Sequence, residues 1–422
     1  MTEEYAASPE GAKRLAQEYF HACRLRFPAL RALVFRNPLE DFVPGISDID
    51  MRLICQDVQP CDWRRLDEAV FHVHSSLVSG HPSLWRLLEH PPGACITVSE
   101  ALDPKLFLPE MRQWEWCSGD EDLRRRLYQH ISNADWSQRD ELHWLSRLLS
   151  YYRPWGEVES RINLGPGLEA RFRVHGIVML HFLPALQAAL SLMTRMSVPG
   201  KLAALRGWAD LRPGNALLLE VAELLDRGYE EPALYDEPGL VAFRDRCRAF
   251  LDEIQPQVLA SVSLVSPATG EGIEHLWHRV SRLQSDNLVI LFDAVRFSRI
   301  RRTHFRCFLQ APSGFETSFF VVNEINTLRD VIAEPALGAY AAIKWGMENA
   351  GADHVLSQLR ESVADSRGKE AAREILEITT RNLEEEPAAR ALLRRACEIY
   401  PEFHVLLEAL LDDIMDRTAV LG

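Results

Sequence analysis

The sequence predicts an α+β protein, in which a small mixed β-sheet with flanking helices precedes a helical bundle and a further, mostly helical C-terminal region. Most of the short apolar runs typical of strands fall in the first 120 residues, whereas helical periodicity dominates after Asp120. A segment rich in proline and acids, residues 231–239, then separates two helical regions. We therefore expect domains at residues 1–120, 121–256 and 257–422.

The N-terminal elements follow from local signals. Ser8, Pro9 and Glu10 form a typical helix start, with a capping hydroxyl, a proline in the first turn and an acid near the positive end of the dipole. Apolar runs at residues 30–35 and 94–99 predict strands on either side of a helix that ends at Gly80. A further strand is expected at residues 45–55.

Composition limits the classes of function. The chain has 422 residues with a net charge of −14, which argues against a general DNA or RNA binder. We find no apolar run close to the roughly 20 residues of a membrane helix, and no signal peptide. The eight cysteines show no metal-ligand spacing. These features predict a cytoplasmic protein with reduced thiols that does not associate with membranes.

The most informative stretch is the run Ser47-Asp48-Ile49-Asp50. On a strand, Asp48 and Asp50 share a face, roughly 7 Å apart by strand rise. Ile49 then points to the opposite face with the apolar residues that follow. Two carboxylates at this spacing can bind one or two hard cations, which usually hold the phosphates of a nucleotide. The alternative is a strand edge that carries two solvated acids.

The loop before this stretch has an informative length. Phe35-Arg36-Asn37 ends ten residues ahead of Ser47, with a predicted strand on each side. This arrangement resembles the nucleotidyltransferase (polymerase-beta-like) superfamily, which includes the kanamycin-type aminoglycoside nucleotidyltransferases. The resemblance covers residues 10–120 well and residues 122–225 more loosely, and it implies a nucleotidyltransferase-type sheet.

The resemblance implies roles for several residues. Asp48 and Asp50 would bind Mg²⁺, and Ser47 would support the loop and contact phosphate. Arg36 and Asn37 stand where the family has Gly-Ser, so that a guanidinium and an amide would replace the backbone and hydroxyl donors to the phosphates. Lys201 follows a Pro-Gly turn at a helix start, where the helix terminus and the ammonium would both favour a phosphate.

The family also requires a third carboxylate on a neighbouring strand. Glu100 is the acid nearest to the strand predicted at residues 94–99, and we expect it to serve as the third catalytic carboxylate. Asp103 is the next acid along the chain, and three acids of the bundle region remain alternatives: Glu157, Glu159 and Glu169.

The resemblance implies a metal-dependent enzyme that transfers NMP from an NTP, with ATP expected, to a hydroxyl of a small molecule and releases pyrophosphate. The acceptor would be an aminoglycoside-like compound or another natural product, as in antibiotic resistance or biosynthesis. Two alternatives remain open. The fold could serve as a catalytically degraded nucleotide-sensing or interaction module, or the enzyme could act on RNA or protein. The oligomeric state is not predicted.

One basic segment remains outside this scheme. Five arginines lie close together with Phe297, His304 and Phe305, and such a segment binds a polyanion or forms a charged helix face that pairs with acids. The second interpretation is favoured because the chain is rich in acids. The arginines are Arg296, Arg299, Arg301, Arg302 and Arg306.

Overall fold

The computed structural model describes residues 5–6, 8–59, 61–151, 166–264, 276, 280, 286–310, 324–348, 350–361, 363–379 and 386–420. Within these residues the protein has an α+β fold with a four-stranded mixed sheet and flanking helices. The strands are β1 Leu30–Phe35, β2 Met51–Cys55, β3 Ala94–Thr97 and β4 Glu115–Gly119. The helices of the first two regions are α1 Pro9–Arg26, α2 Asp62–Gly80, α3 Val98–Leu102, α4 Glu121–Asn133, α5 Gln138–Tyr151, α6 Pro166–His175, α7 Leu183–Thr194, α8 Lys201–Leu211, α9 Ala216–Asp226 and α10 Glu237–Ser261. The C-terminal helices are α11 Asn287–Ser298, α12 Arg301–Leu309, α13 Glu334–Trp345, α14 Ala352–Gln358, α15 Ser366–Thr379 and α16 Glu386–Val420.

The sheet has the strand order β3-β2-β1-β4. Strand β1 pairs antiparallel with both β2 and β4, while β2 and β3 pair in parallel. The parallel register runs from Arg52 opposite Ala94 to Cys55 opposite Thr97. This pairing decides which loops meet at each end of the sheet.

Strand β2 is shorter than the sequence predicts. It begins at Met51, so Asp48 and Asp50 lie in the extended segment that leads into it. The Arg36 N–H still donates to the Asp50 carbonyl at 2.9 Å, but the Ile49 N–H donates to the Leu87 carbonyl instead. The ladder therefore stops at Asp50, although the expected alternation of faces continues through the segment.

The two faces of the sheet are buried by different parts of the chain. Leu33, Met51 and Leu53 pack in one hydrophobic cluster with helices α1 and α2. Val34 and Ile54 point to the other face, where they join a cluster formed largely by the C-terminal helices. The C-terminal region therefore supplies one of the layers that cover the sheet.

Strand β3 is also shorter than predicted, because a helix begins at its end. The Glu100 N–H donates to Thr97 Oγ1 at 3.2 Å, and the Thr97 N–H donates to the Glu100 carboxylate at 2.7 Å. These reciprocal bonds form a capping box that starts helix α3. The segment at residues 98–99, expected to extend the strand, is therefore helical.

The central helices form a bundle with its own core. Its buried side chains include Trp144, Phe182 and Trp208, and the Trp208 indole donates to the Leu186 carbonyl at 2.9 Å. Val43 and Ile46, from the loop between β1 and β2, are buried in the same core. The bundle thus fixes the loop that leads to Asp48.

One continuous helical stretch corrects the expectation that no segment is long and apolar enough to span a membrane. Residues Leu168–Thr194 meet that criterion by length and composition. However, 83% of the most apolar window is buried inside the protein. The stretch is therefore a core helix, and it gives no indication of a membrane protein.

The five clustered arginines pair with acids, as the second interpretation of that segment predicts. The Arg299 guanidinium donates to Glu100 at 2.6 and 2.7 Å and to Glu408 at 2.7 and 3.2 Å. Three of the arginines are buried rather than solvated. The remaining pairs are Arg296 with Glu110, Arg301 with Glu324, and Arg302 and Arg306 with Glu68.

Candidate functional site

A cleft of about 110 Å³ lies where the end of β1, the segment before β2 and the bundle meet. A π-helical turn of the bundle, Gly176–Phe182, contributes one wall together with the residue before it. π-Helical turns inside longer helices are frequent at functional sites. The polar residues that line the cleft are Asn37, Asp41, Ser47, Asp48, Asp50, His175 and Lys201.

The loop before Asp48 is held by local bonds as well as by the bundle. The Val43 N–H donates to Ser47 Oγ at 3.0 Å. Gly45 adopts a left-handed conformation with φ +74°, which a glycine takes without strain. Ser47 thus has the loop-supporting role expected for it, and its contact with a phosphate stays a prediction.

Asp48 and Asp50 converge with a third residue, His90. His90 Nε2 lies 3.2 Å from Asp48 Oδ2 and 3.5 Å from Asp50 Oδ1. One potential ligand atom from each residue lies within 4.8 Å of the others. The side chains are between 23% and 33% exposed, so the cluster is open to solvent on one side. This geometry can hold a metal ion.

The sequence interpretation missed His90, although the parallel pairing explains its position. Asp48 lies four residues before Arg52 and His90 lies four residues before Ala94, and Arg52 and Ala94 are partners in the register. The segments that enter two adjacent parallel strands run side by side. Knowledge that β2 and β3 pair in parallel would have placed the histidine just before Pro91-Pro92 beside the two acids.

The three residues influence each other electrostatically. Burial alone would lower the pKa of His90, but the hydrogen bond to Asp48 and the charges of Asp48 and Asp50 raise it to about 9. Burial would raise the pKa of Asp48, but His90 and then Arg86 hold it well below the ordinary value. The imidazolium therefore offsets part of the repulsion between the two carboxylates.

Arg36 and Asn37, which replace the Gly-Ser of the resembled family, both contact the cluster. Asn37 Nδ2 donates to Asp50 Oδ2 at 3.3 Å. Arg36 Nη1 lies 3.7 Å from the same oxygen, and Arg36 Nε lies 3.8 Å from Glu110 Oε2. The guanidinium thus lies between two carboxylates, beyond hydrogen-bond distance of either.

Lys201 lines the cleft as expected, but the helix terminus beside it is already occupied. The N–H groups of Lys201 and Leu202 each donate to a separate oxygen of Asp41 at 2.9 Å. An acidic side chain thus takes the place at the start of α8 that we expected a phosphate to take. Burial lowers the pKa of Lys201, while the Asp41 charge opposes that shift.

Glu100 lies at the opposite end of the strand pair from Asp48 and Asp50, which corrects its assignment to this site. It follows Thr97, the partner of Cys55, whereas Asp50 precedes Met51. Five strand residues span roughly 16 Å. Asp103 lies further along the chain from Glu100, Glu169 is exposed at the start of α6, and Glu157 and Glu159 lie outside the described residues. Asp41 is the third carboxylate among the residues that line the cleft.

A second, larger cavity of about 490 Å³ begins on the other side of Arg36. It lies where the N-terminal region, helix α5 and helix α11 meet, and we call it the junction cavity. Its volume falls in the range typical of small-molecule sites. Its lining includes Arg36, Pro109, Glu110, Leu142, His143, Asp293 and Phe297.

Comparison of the chain with protein-family models, with curated proteins and with solved structures finds no match.

Proposed function

We propose that the protein is a metal-dependent nucleotidyltransferase that transfers NMP, with AMP expected, from an NTP to a hydroxyl of a small molecule. The observation that supports this most is the convergence of His90 with Asp48 and Asp50, two acids that line a cleft together with Asn37 and Lys201. The acidic pair also lies directly before the second strand of a small mixed sheet, which is compatible with the nucleotidyltransferase-type sheet that we propose.

The donor set fits a divalent cation. Two carboxylates and an imidazole offer three ligand atoms within 4.8 Å of one another, and all three side chains are partly exposed. A cation bound there would neutralise charge on the phosphates and polarise the α-phosphate.

The residues of the chain would position the substrates. The ammonium of Lys201 and the guanidinium of Arg36 would bind phosphate oxygens, because both groups lie at the cleft or its edge. The acceptor hydroxyl would attack the α-phosphorus as the bond to pyrophosphate breaks. Its proton would pass to Asp41, whose pKa is raised by burial. The junction cavity would hold the rest of the acceptor.

A non-catalytic nucleotide-sensing module is the second candidate. It is favoured by the replacement of Gly-Ser with Arg36 and Asn37, since the Arg36 side chain occupies space next to Asp50 where a phosphate would approach. Transfer to RNA or protein has no such observation in its favour. A cytoplasmic location and the absence of membrane and nucleic-acid partners remain predictions.

The test is pyrophosphate release from each NTP in the presence of a panel of hydroxyl-bearing small molecules, together with calorimetric titration of each NTP. Asp48→Asn is the inactive variant, and Asp122→Asn, at an exposed acid in α4, is the matched control. We expect release from wild type and control only. Nucleotide binding without release would favour the sensing module. Neither binding nor release, or an Asp48→Asn variant as active as wild type, would contradict the enzyme.

A further inference from the structure

The cluster of Asp48, Asp50 and His90 contains a nitrogen donor, which changes the kind of metal ion that it suits. Asp48 and Asp50 offer carboxylate oxygens, and His90 Nε2 lies 3.2 and 3.5 Å from them. Mg²⁺ takes oxygen ligands and keeps several waters. Imidazole suits Fe²⁺, Ni²⁺, Cu²⁺ and Zn²⁺ instead, and Mn²⁺ stands at the weak-binding end of the same first-row series. The identity of the third ligand therefore bears directly on the identity of the ion.

His90 is oriented as a ligand. Its Nδ1 lies 2.8 Å from the Pro91 carbonyl, which is an acceptor only, so Nδ1 carries the proton and donates it. Nε2 then faces the two carboxylates, where a bound metal ion would take the place of the Nε2 proton. Histidines that bind metals usually donate their other ring N–H to a carbonyl or a carboxylate, which fixes the tautomer and the ring orientation.

The C-terminal region adds a second support for this orientation. The ring of His304, in α12, stacks on that of His90 with centroids 5.9 Å apart and an interplanar angle of 16°. His304 Nε2 lies 3.1 Å from the carbonyl of Pro92, the next residue after the acceptor of His90. His304 is itself buried. Two histidines thus hold the loop that places Nε2 beside Asp48 and Asp50.

We propose that Asp48, Asp50 and His90 bind a divalent first-row transition-metal ion in preference to Mg²⁺. The role of the ion in catalysis rests on the proposed function, but binding of the ion does not require turnover. The three residues supply one nitrogen and two oxygen ligands and leave the other coordination positions of the ion open.

Metal binding tests the proposal without any nucleotide. Mn²⁺ and Mg²⁺ are titrated separately into wild type, His90→Gln and His404→Gln, the last being a control at a buried histidine near Glu408. We expect wild type to bind Mn²⁺ at least 10-fold more tightly than Mg²⁺. His90→Gln should lose at least 10-fold in Mn²⁺ affinity, in line with the loss that even outer-shell changes cause. The control should match wild type.

A direct spectroscopic measurement keeps the proposal testable if His90→Gln folds poorly. Pulsed electron paramagnetic resonance of Mn²⁺ bound to wild type should show coupling to an imidazole nitrogen. Absence of that coupling, equal Mn²⁺ affinity in wild type and His90→Gln, or an equal loss in His404→Gln would overturn the proposal.

The outcomes separate this inference from the proposed function. Mn²⁺ bound through His90 in a protein that releases no pyrophosphate would contradict nucleotidyl transfer alone. Transfer supported by Mg²⁺ and unaffected by His90→Gln would contradict the nitrogen ligand alone.

Discussion

Both ends of the parallel β2–β3 pair carry acidic side chains, but their surroundings differ. At the end where the strands begin, Asp48 and Asp50 are partly exposed and share one histidine. At the other end, Glu100 and Glu408 are largely buried and share the guanidinium of Arg299. The second set is internally satisfied and joins the C-terminal region to the sheet. The first set gathers negative charge at a cleft, which favours binding of a cation.

Removal of an acid at the cleft end should have the largest effect on activity. Asp50→Asn keeps the shape but loses a charged ligand and one of the two carboxylates beside Arg36, so we expect nucleotidyl transfer to fall by roughly 1,000-fold or more. The free energy of unfolding should change little, because the change also relieves repulsion with Asp48. Pyrophosphate release and denaturant unfolding measure the two quantities. Full activity in this variant would remove the distinction between the two ends.

Disruption of the other end should affect stability instead. Arg299→Met leaves Glu100 and Glu408 without their shared cation, and breaking a buried ion pair costs about 3–5 kcal/mol. We expect that loss in denaturant unfolding. Metal affinity at the cleft should be retained under conditions where the variant is folded. A folded variant that is as stable as wild type but binds no metal would reverse the comparison.

Glu324, a third acid that pairs with a buried arginine, should make the stability of the protein depend on pH. Burial would raise the pKa of Glu324, but Arg301 and His304 lower it to about 2 from an ordinary 4.5. A lowered folded-state pKa contributes stability above pH 4.5 that is lost as pH falls through about 2. Glu324→Gln should therefore be less stable than wild type by about 3 kcal/mol near pH 6, with the difference shrinking towards pH 2. The control is Glu121→Gln at an exposed acid. A difference that stays constant with pH would show that the charge of Glu324 is not the cause.

Asp41 belongs to the cleft but also caps a helix, so one substitution separates the two roles. Asp41→Asn retains one acceptor for the N–H groups of Lys201 and Leu202 and should lose about 1 kcal/mol of stability. If Asp41 accepts the acceptor's proton, transfer should fall about 100-fold. Activity near that of wild type would leave Asp41 with the capping role alone.

The smallest effect is expected at Ser47. Ser47→Ala removes the acceptor of the Val43 N–H and should lower the free energy of unfolding by about 1 kcal/mol. Activity should fall less than 10-fold if the hydroxyl supports the loop only. A loss above 100-fold with unchanged stability would instead indicate contact with a phosphate.

The sequence by itself determined the α+β class, the alternation around Asp48 and Asp50, and the position of Arg36, Asn37 and Ser47 close to these acids on a short loop. These follow from local periodicity, turn chemistry and a short loop, which depend on neighbours in the chain. Only the tertiary structure decided that His90 joins the acids and that Glu100 does not. The reason is the parallel pairing of β2 with β3, a contact between segments about forty residues apart, whose direction local patterns do not contain. The same applies to Arg299, which meets its acidic partners through contacts 199 and 109 residues apart in sequence.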